Sequence, residues 1–229
     1  MRAPFGDLMS CQPTKMPPPL ARAFERLSDD VIWLHSRWIL YRQLFGANPQ
    51  RIELLNRVAP YFFSQLERIL SDDVVLGICR LFDPATTVQQ DNLVLAVLPN
   101  LIDQAAYASL HDDLAMRRNR LETQLPPFRA NRNKRIAHRD YKTALDPRAP
   151  MLPGLSRVMF EEVLAEISGY LNGIQGFFDQ SETAYDVFIS PSDSDALIFA
   201  LKQSVECARL EEARLLPFDW FKHSEFRDA

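Results

Sequence analysis

Apolar residues recur along this chain at alternating steps of four and three. Leu20, Phe24, Leu27, Val31, Leu34, Trp38, Tyr41 and Phe45 keep that spacing without a break. On an α-helix such positions line one stripe, so the pattern predicts a long helix burying one face in a bundle. Pro19 suits the first helical turn, where a missing N–H costs nothing. Gly46 is placed to end the helix as a C-cap. Asn48 and Pro49 then predict an N-cap and a restart. Ile52, Leu55, Ala59, Phe62, Leu66 and Ile69 continue the spacing, with Pro60 set to kink or split the helix. Beyond Ile69 the same register brings up Asp73 and Arg80, while Leu70, Val74, Ile78 and Leu81 form an apolar row one position over. Asp73 and Arg80 read either as a structural ion pair at the edge of the core or as residues facing a site. Asp83-Pro84 should end the element, because a residue before proline avoids the helical region.

The second half repeats this logic with interruptions. Residues 85–92 read as a polar loop, and Leu93 to Leu98 as one or two helical turns. A helix is expected from about Asn100 to Glu122, and a second from about 128 to 145 after Pro126-Pro127. Ser156 to Gln180 carries Phe160, Leu164, Ile167, Leu171, Ile174 and Phe178 at steps of four and three. Gly169, Gly173 and Gly176 lie on another stripe of that helix. Each glycine costs about 1 kcal/mol relative to alanine, which points to a close helix contact there. Ser192 or Asp193 should cap a last helix carrying Leu197, Leu201, Val205 and Ala208. The fold class expected is all-α, an antiparallel helical bundle with additional C-terminal helices. The expected organisation is a flexible arm over 1–18, a helical domain over 19–213, and an aromatic tail over 214–229. Phe218-Asp219-Trp220-Phe221 in that tail should dock on the bundle or on a partner chain.

Composition narrows the function classes. The chain has 229 residues, 47% of them hydrophobic, which suits one folded domain or two. It has 7 glycines and neither a G-x-x-x-x-G-K nor a G-x-G-x-x-G run, against a P-loop or Rossmann site. Cys11, Cys79 and Cys207 are scattered, with no C-x-x-C pair and no metal spacing. They read as reduced thiols in a cytoplasmic protein. No apolar run reaches the roughly 18 residues that span a bilayer, so no membrane partner is expected. His35, His111 and His223 read as ordinary surface or boundary residues.

Charge changes the picture at one place. The net charge is −4, yet residues 117–142 hold nine Lys/Arg against Glu122 and Asp140 alone, a local +7 that leaves −11 on the rest. Such a stripe can attract a polyanion, or it can be a solvated helix face balanced by acidic neighbours. Within it runs Arg132-Asn133-Lys134-Arg135-Ile136-Ala137-His138. Histidine titrates near neutral pH and can give or take a proton. Arginine stays charged and can hold two phosphate oxygens at once. On an ideal α-helix Arg132 and His138 stand about 120° apart. Arg135, three residues before His138, is the nearer neighbour and the substitute for Arg132 in stabilising a phosphate. The competing reading makes His138 a capped or buried histidine among surface ion pairs.

Arg132-Asn133-x4-His138 resembles the Arg-x(4–6)-His signature of the HEPN superfamily (higher eukaryotes and prokaryotes nucleotide-binding). More of the chain is similar to one branch, the abortive-infection AbiU-like HEPN proteins. The likeness runs through Trp38 and Tyr41, then Leu55-Asn56-Arg57-x-Ala59-Pro60-x-Phe62-Phe63. It continues in Asp72-Asp73-x3-Gly77-Ile78-x-Arg80-Leu81-x-Asp83-Pro84 and in Arg132-Asn133-Lys134-x-Ile136-Ala137-His138-x-Asp140, covering roughly residues 20–145. The resemblance implies an antiparallel bundle forming a homodimer, with two motifs meeting across a cleft. It implies a metal-independent endoribonuclease without cofactors, serving phage defence, a toxin–antitoxin pair or a stress response. Its partners would be RNA and an antitoxin protein. On that reading His138 is the acid/base, Arg132 the phosphate stabiliser and Asn133 a positioning group. Lys134, Arg135, Arg139 and Lys142 would bind the RNA phosphates. Some HEPN toxins carry a modified tyrosine two residues after the histidine. Asp140 stands there in this chain, which departs from that form of regulation. The alternative is a non-catalytic module binding a nucleotide, RNA or a protein, and a third reading is a purely structural dimer.

Overall fold

A computed structural model of the chain describes residues 14–88, 90–137, 140–141, 145–146, 148, 150–187, 190 and 193–216. The fold is all-α. Helices α1 (Pro18–Phe45), α2 (Pro49–Val58) and α3 (Pro60–Leu81) come first. A two-residue hairpin of β1 (Thr86–Thr87) and β2 (Gln90–Asp91) follows, then the short α4 (Val97–Asn100). Next are α5 (Ala108–Gln124), α6 (Pro126–Asn131) and a π-helical turn, π1 (Arg132–Ile136). The long α7 (Arg157–Asp179) and α8 (Ser194–Glu212) close the series. Among the described residues no helix is long and apolar enough to cross a membrane.

The chain divides into two compact units, one of residues up to Ser36 with Asp72–Val187, the other of Arg37–Ser71 with the residues after 187. The first unit holds most of the core. Leu20, Leu27, Val31 and Leu34 of α1 are buried as their spacing predicts, and so is the whole α7 seam from Phe160 to Phe178. The row Val74, Ile78 and Leu81 supplies the buried face of α3. Helix α5 packs along α7. There the predicted glycine contact is present: a Cβ on Gly169 would lie 2.7 Å from Arg117 Nη1, and one on Gly173 3.2 Å from Asp113 Oδ2. In α3, a Cβ on Gly77 would meet Leu34 Cδ1 at 2.7 Å.

The second unit is smaller. Leu44, Leu55, Phe63 and Ile198 form its buried cluster, with Leu54, Leu66, Leu70 and Leu201 around it. Asn48 caps α2, accepting the Arg51 N–H at 2.9 Å. Asp193 caps α8, accepting the Asp195 and Ala196 N–H groups at 3.0 and 3.3 Å. Arg51 pairs with Asp195 at 2.6 Å and ties α2 to α8.

Several expectations need correction. At Pro60 the split forms, one of the two outcomes expected there, since proline has no N–H to donate. Past the split the buried face steps by one residue: Phe63 is buried while Phe62 and Ile69 are 58% and 61% exposed. In α8 the buried position is Ile198, and Leu197 faces solvent. Arg80 meets Asp30 of α1, with Nη2 3.8 Å from Oδ2. Residues 85–92 contain the β hairpin, paired Thr86 to Asp91 and Thr87 to Gln90. Helix α5 begins at Ala108, eight residues later than expected. His35 is buried, 5% exposed. The end of the N-terminal arm is held: Thr14 Oγ1 donates to the Asp179 carboxylate at 2.8 Å, the Lys15 N–H reaches it at 2.7 Å, and Met16 is buried. Residues 1–13 and the aromatic tail from 217, with His223, lie outside the described residues.

Candidate functional site

The Arg132 stretch is positioned by the α5–α6 junction. Pro126 and Pro127 open α6, where proline fits the first turn. Phe128 is fully buried and meets Phe160 of α7 edge-to-face at 5.1 Å between ring centroids. Burying such a ring contributes roughly 1.5–3 kcal/mol and fixes α6 on α7. One turn on, Asn131 is 6% exposed. Its Nδ2 donates to the Pro127 and Pro153 carbonyls at 3.0 and 2.9 Å. A buried amide so satisfied anchors the loop before α7 to the end of α6.

The expected continuous helix over 128–145 is not what forms. From Arg132 the turn widens to π geometry, and the Ala137 N–H bonds the Arg132 carbonyl at 2.8 Å. One turn above Arg132 therefore stands Ala137, where an α-helix would place Ile136. Such turns cost backbone regularity and occur often at functional sites.

The two arginines of the turn reach α3. Arg132 Nη2 lies 3.1 Å from Asp83 Oδ2, and its Nη1 3.4 Å from Asn133 Oδ1. Arg135 Nη2 lies 2.7 Å from Asp72 Oδ1, and its Nε donates to Asn131 Oδ1 at 3.3 Å. Asn133 and Lys134 are exposed. The Asp140 N–H reaches back to the Lys134 carbonyl at 3.2 Å. Cys79, on the face of α3 near these arginines, is buried, which pushes its thiol up to about 11 against the pull of Arg132 and Arg129. It stays a protonated thiol near neutral pH. His138, Arg139 and Lys142 lie outside the described residues.

Three more arginines of the basic stripe are likewise matched by acids. Arg117 bonds Asp113 at 2.8 Å, Arg129 bonds Glu122 at 2.8 Å, and Arg120 lies 3.8 Å from Glu166. Asp72, Asp83, Asp113 and Glu166 all come from outside the 117–142 window. Asn131 was not singled out from the sequence, and Asp72 and Asp83 were not assigned to the site. The four-residue step from Asn131 to Arg135 is the one local signal for the first. Among the described residues no group of three or more His, Cys, Asp or Glu stands where it could hold a metal ion.

The arrangement offers two guanidiniums on one π turn, tied to α3 carboxylates eleven residues apart, beside the motif histidine in sequence. No curated protein and no solved structure matches the chain. The family model of the AbiU2-type HEPN proteins matches residues 18–199, from the start of α1 into α8, and takes in the whole Arg132–His138 motif. The chain belongs to the AbiU2 family of HEPN proteins.

Proposed function

We propose that this protein is a metal-independent endoribonuclease of abortive-infection type, working as a homodimer. The observation that supports it most is the placing of Arg132 and Arg135 on one rigid turn, held by α3 and by buried Asn131, immediately before His138. In RNA, the ribose 2′-hydroxyl attacks the adjacent phosphorus and the 5′-oxygen leaves. The products are a 2′,3′-cyclic phosphate and a 5′-hydroxyl end. His138 moves a proton at the attacking or leaving oxygen. Arg132 neutralises the charge that grows on the phosphate oxygens, and Asn133 orients it. Lys134, Arg135, Arg139 and Lys142 hold flanking phosphates. A second protomer supplies the opposing motif, so light scattering at tens of micromolar should report a dimer.

The test is incubation of the full chain with total RNA in excess chelator. Wild type should cut, leaving cyclic-phosphate ends. His138→Ala should cut on the order of 10²–10⁴ times more slowly, with RNA binding nearly unchanged, because the substitution removes a proton carrier and little charge at pH 7.5. Arg132→Ala should lower both binding and cleavage. Wild type that binds RNA without cutting it, and is indifferent to His138→Ala, would make the protein a binding module.

A further inference from the structure

Helix α5 brings a further cation to the surface around Asp83, the residue that holds Arg132. Arg118 is exposed, and among the described residues its side chain stands in no ion pair, unlike its neighbours Arg117 and Arg120. It borders a cavity of about 10 Å³ together with Phe82 and Asp83 just past α3, Glu122 one turn further along α5, and Tyr170 of α7. The charge of Arg118 is felt inside: burial pushes the Tyr170 hydroxyl up, and Arg118 opposes that push. Both carboxylates on the cavity are already taken. Glu122 turns its two oxygens to Arg129 at 2.8 and 3.4 Å, and Asp83 meets Arg132 at 3.1 Å. Three cations thus share two carboxylates, and the charge left over is that of Arg118. The cavity has room for about one water molecule, so an anion has to meet Arg118 at its outer rim.

We propose that Arg118 is a further RNA-binding residue, taking a phosphate that flanks the one at Arg132, so that the strand runs from π1 past the end of α3 onto α5. The inference rests on reading the motif as an RNA site, as above. A phosphate that settles on a paired arginine competes with the carboxylate already there, or adds its charge beside it. At Arg118 it displaces nothing, and the guanidinium can give two donors to its oxygens. In Arg117-Arg118-x-Arg120, three cations that look alike in sequence therefore differ in use. The outer two serve Asp113 and Glu166, and the middle one faces the ligand.

Anisotropy titrations of the full chain with a labelled 2′-O-methyl oligouridylate, which cannot be cleaved, count the phosphates held through the salt dependence of binding. Arg118→Gln should flatten the log–log slope against salt by about 0.7, one phosphate contact on a single strand. Arg118→Lys should keep the slope. Arg117→Gln and Arg120→Gln should also keep it, since those cations are engaged by carboxylates. The position is exposed, and glutamine and lysine are good helix formers, so both Arg118 variants fold. On RNA that is cut, Arg118→Gln should raise KM with kcat unchanged, because the contact lies away from the reacting phosphorus. An unchanged slope in Arg118→Gln, an equal flattening in all three glutamine variants, or no binding of the oligonucleotide by wild type would each overturn the inference. RNA cleavage by wild type with an unchanged slope in Arg118→Gln leaves the nuclease reading standing and removes this one; a flattened slope without any cleavage does the reverse.

Discussion

At the scale of the residue, His35 shows how a single buried polar group is carried by its neighbours. Its Nε2 lies 2.8 Å from Ser168 Oγ, and that hydroxyl also bonds the Leu164 carbonyl at 2.9 Å. The Tyr185 ring lies 6.1 Å away, its hydroxyl shared with Ser28 at 2.8 Å. Burial lowers the His35 pKa below 6.5, against smaller raising effects of the Leu164 backbone and Asp186. The folded protein therefore resists protonation that the unfolded chain accepts. Stability is unaffected above pH 6.5 and falls as pH drops from there toward the lowered folded value, because the unfolded state then binds more protons. In urea denaturation, the gap between wild type and His35→Asn should narrow from pH 7.5 to 5.5; a constant gap would contradict it. His35→Ala should cost about 1–3 kcal/mol at pH 7.5, since Ser168 loses one of its two partners and the buried ring leaves a cavity. The sequence does hold a trace of this cluster: Ser28 and His35 repeat at seven, each one position after Leu27 and Leu34. That stripe is easily passed over, because the seam beside it already accounts for the helix.

At the scale of the element, the long seams of α1 and α7 were legible and the registers of α3 and α8 were not. In the latter two, adjacent apolar pairs, Phe62-Phe63 and Leu197-Ile198, fit a helical stripe equally well. Only packing chooses between them, and it chose the second of each pair. Glycine contacts carry a sharper consequence. At Gly77 the atom in the way belongs to Leu34, which is buried and has nowhere to move. Gly77→Ala should therefore destabilise by about 1–3 kcal/mol from overpacking, offset in part by the better helix propensity of alanine. At Gly169 the atom in the way is the tip of Arg117, partly exposed and flexible. Gly169→Ala should be near neutral, within about 0.5 kcal/mol, as the arginine swings outward. Thermal midpoints of the two variants should separate by several degrees, and equal midpoints would mean that the two contacts are alike.

For the whole molecule, the basic stripe was legible as a run of charge, but its neutralisation was not. Asp83 meets Arg132 from 49 residues away in the chain, and no local pattern announces such a pairing. Among the described residues of 117–142, Arg117, Arg120, Arg129, Arg132 and Arg135 stand in ion pairs. Most of them therefore offer RNA less than their count suggests. The salt dependence of RNA binding is the measure. With each engaged cation contributing about 0.7 to the log–log slope for a single strand, nine would give roughly −6 and four roughly −3. The expected slope is nearer −3, and a slope near −6 would mean that RNA breaks the pairs open.

The π turn bears on how positions around it are counted. A π turn takes in one residue more than an α turn. Arg132 and Ala137 thus stand to each other as residues four apart do in an ordinary helix. A register counted on an ideal helix is therefore one residue out here: a side chain meant to stand one turn above Arg132 has to be placed at Ala137 and not at Ile136.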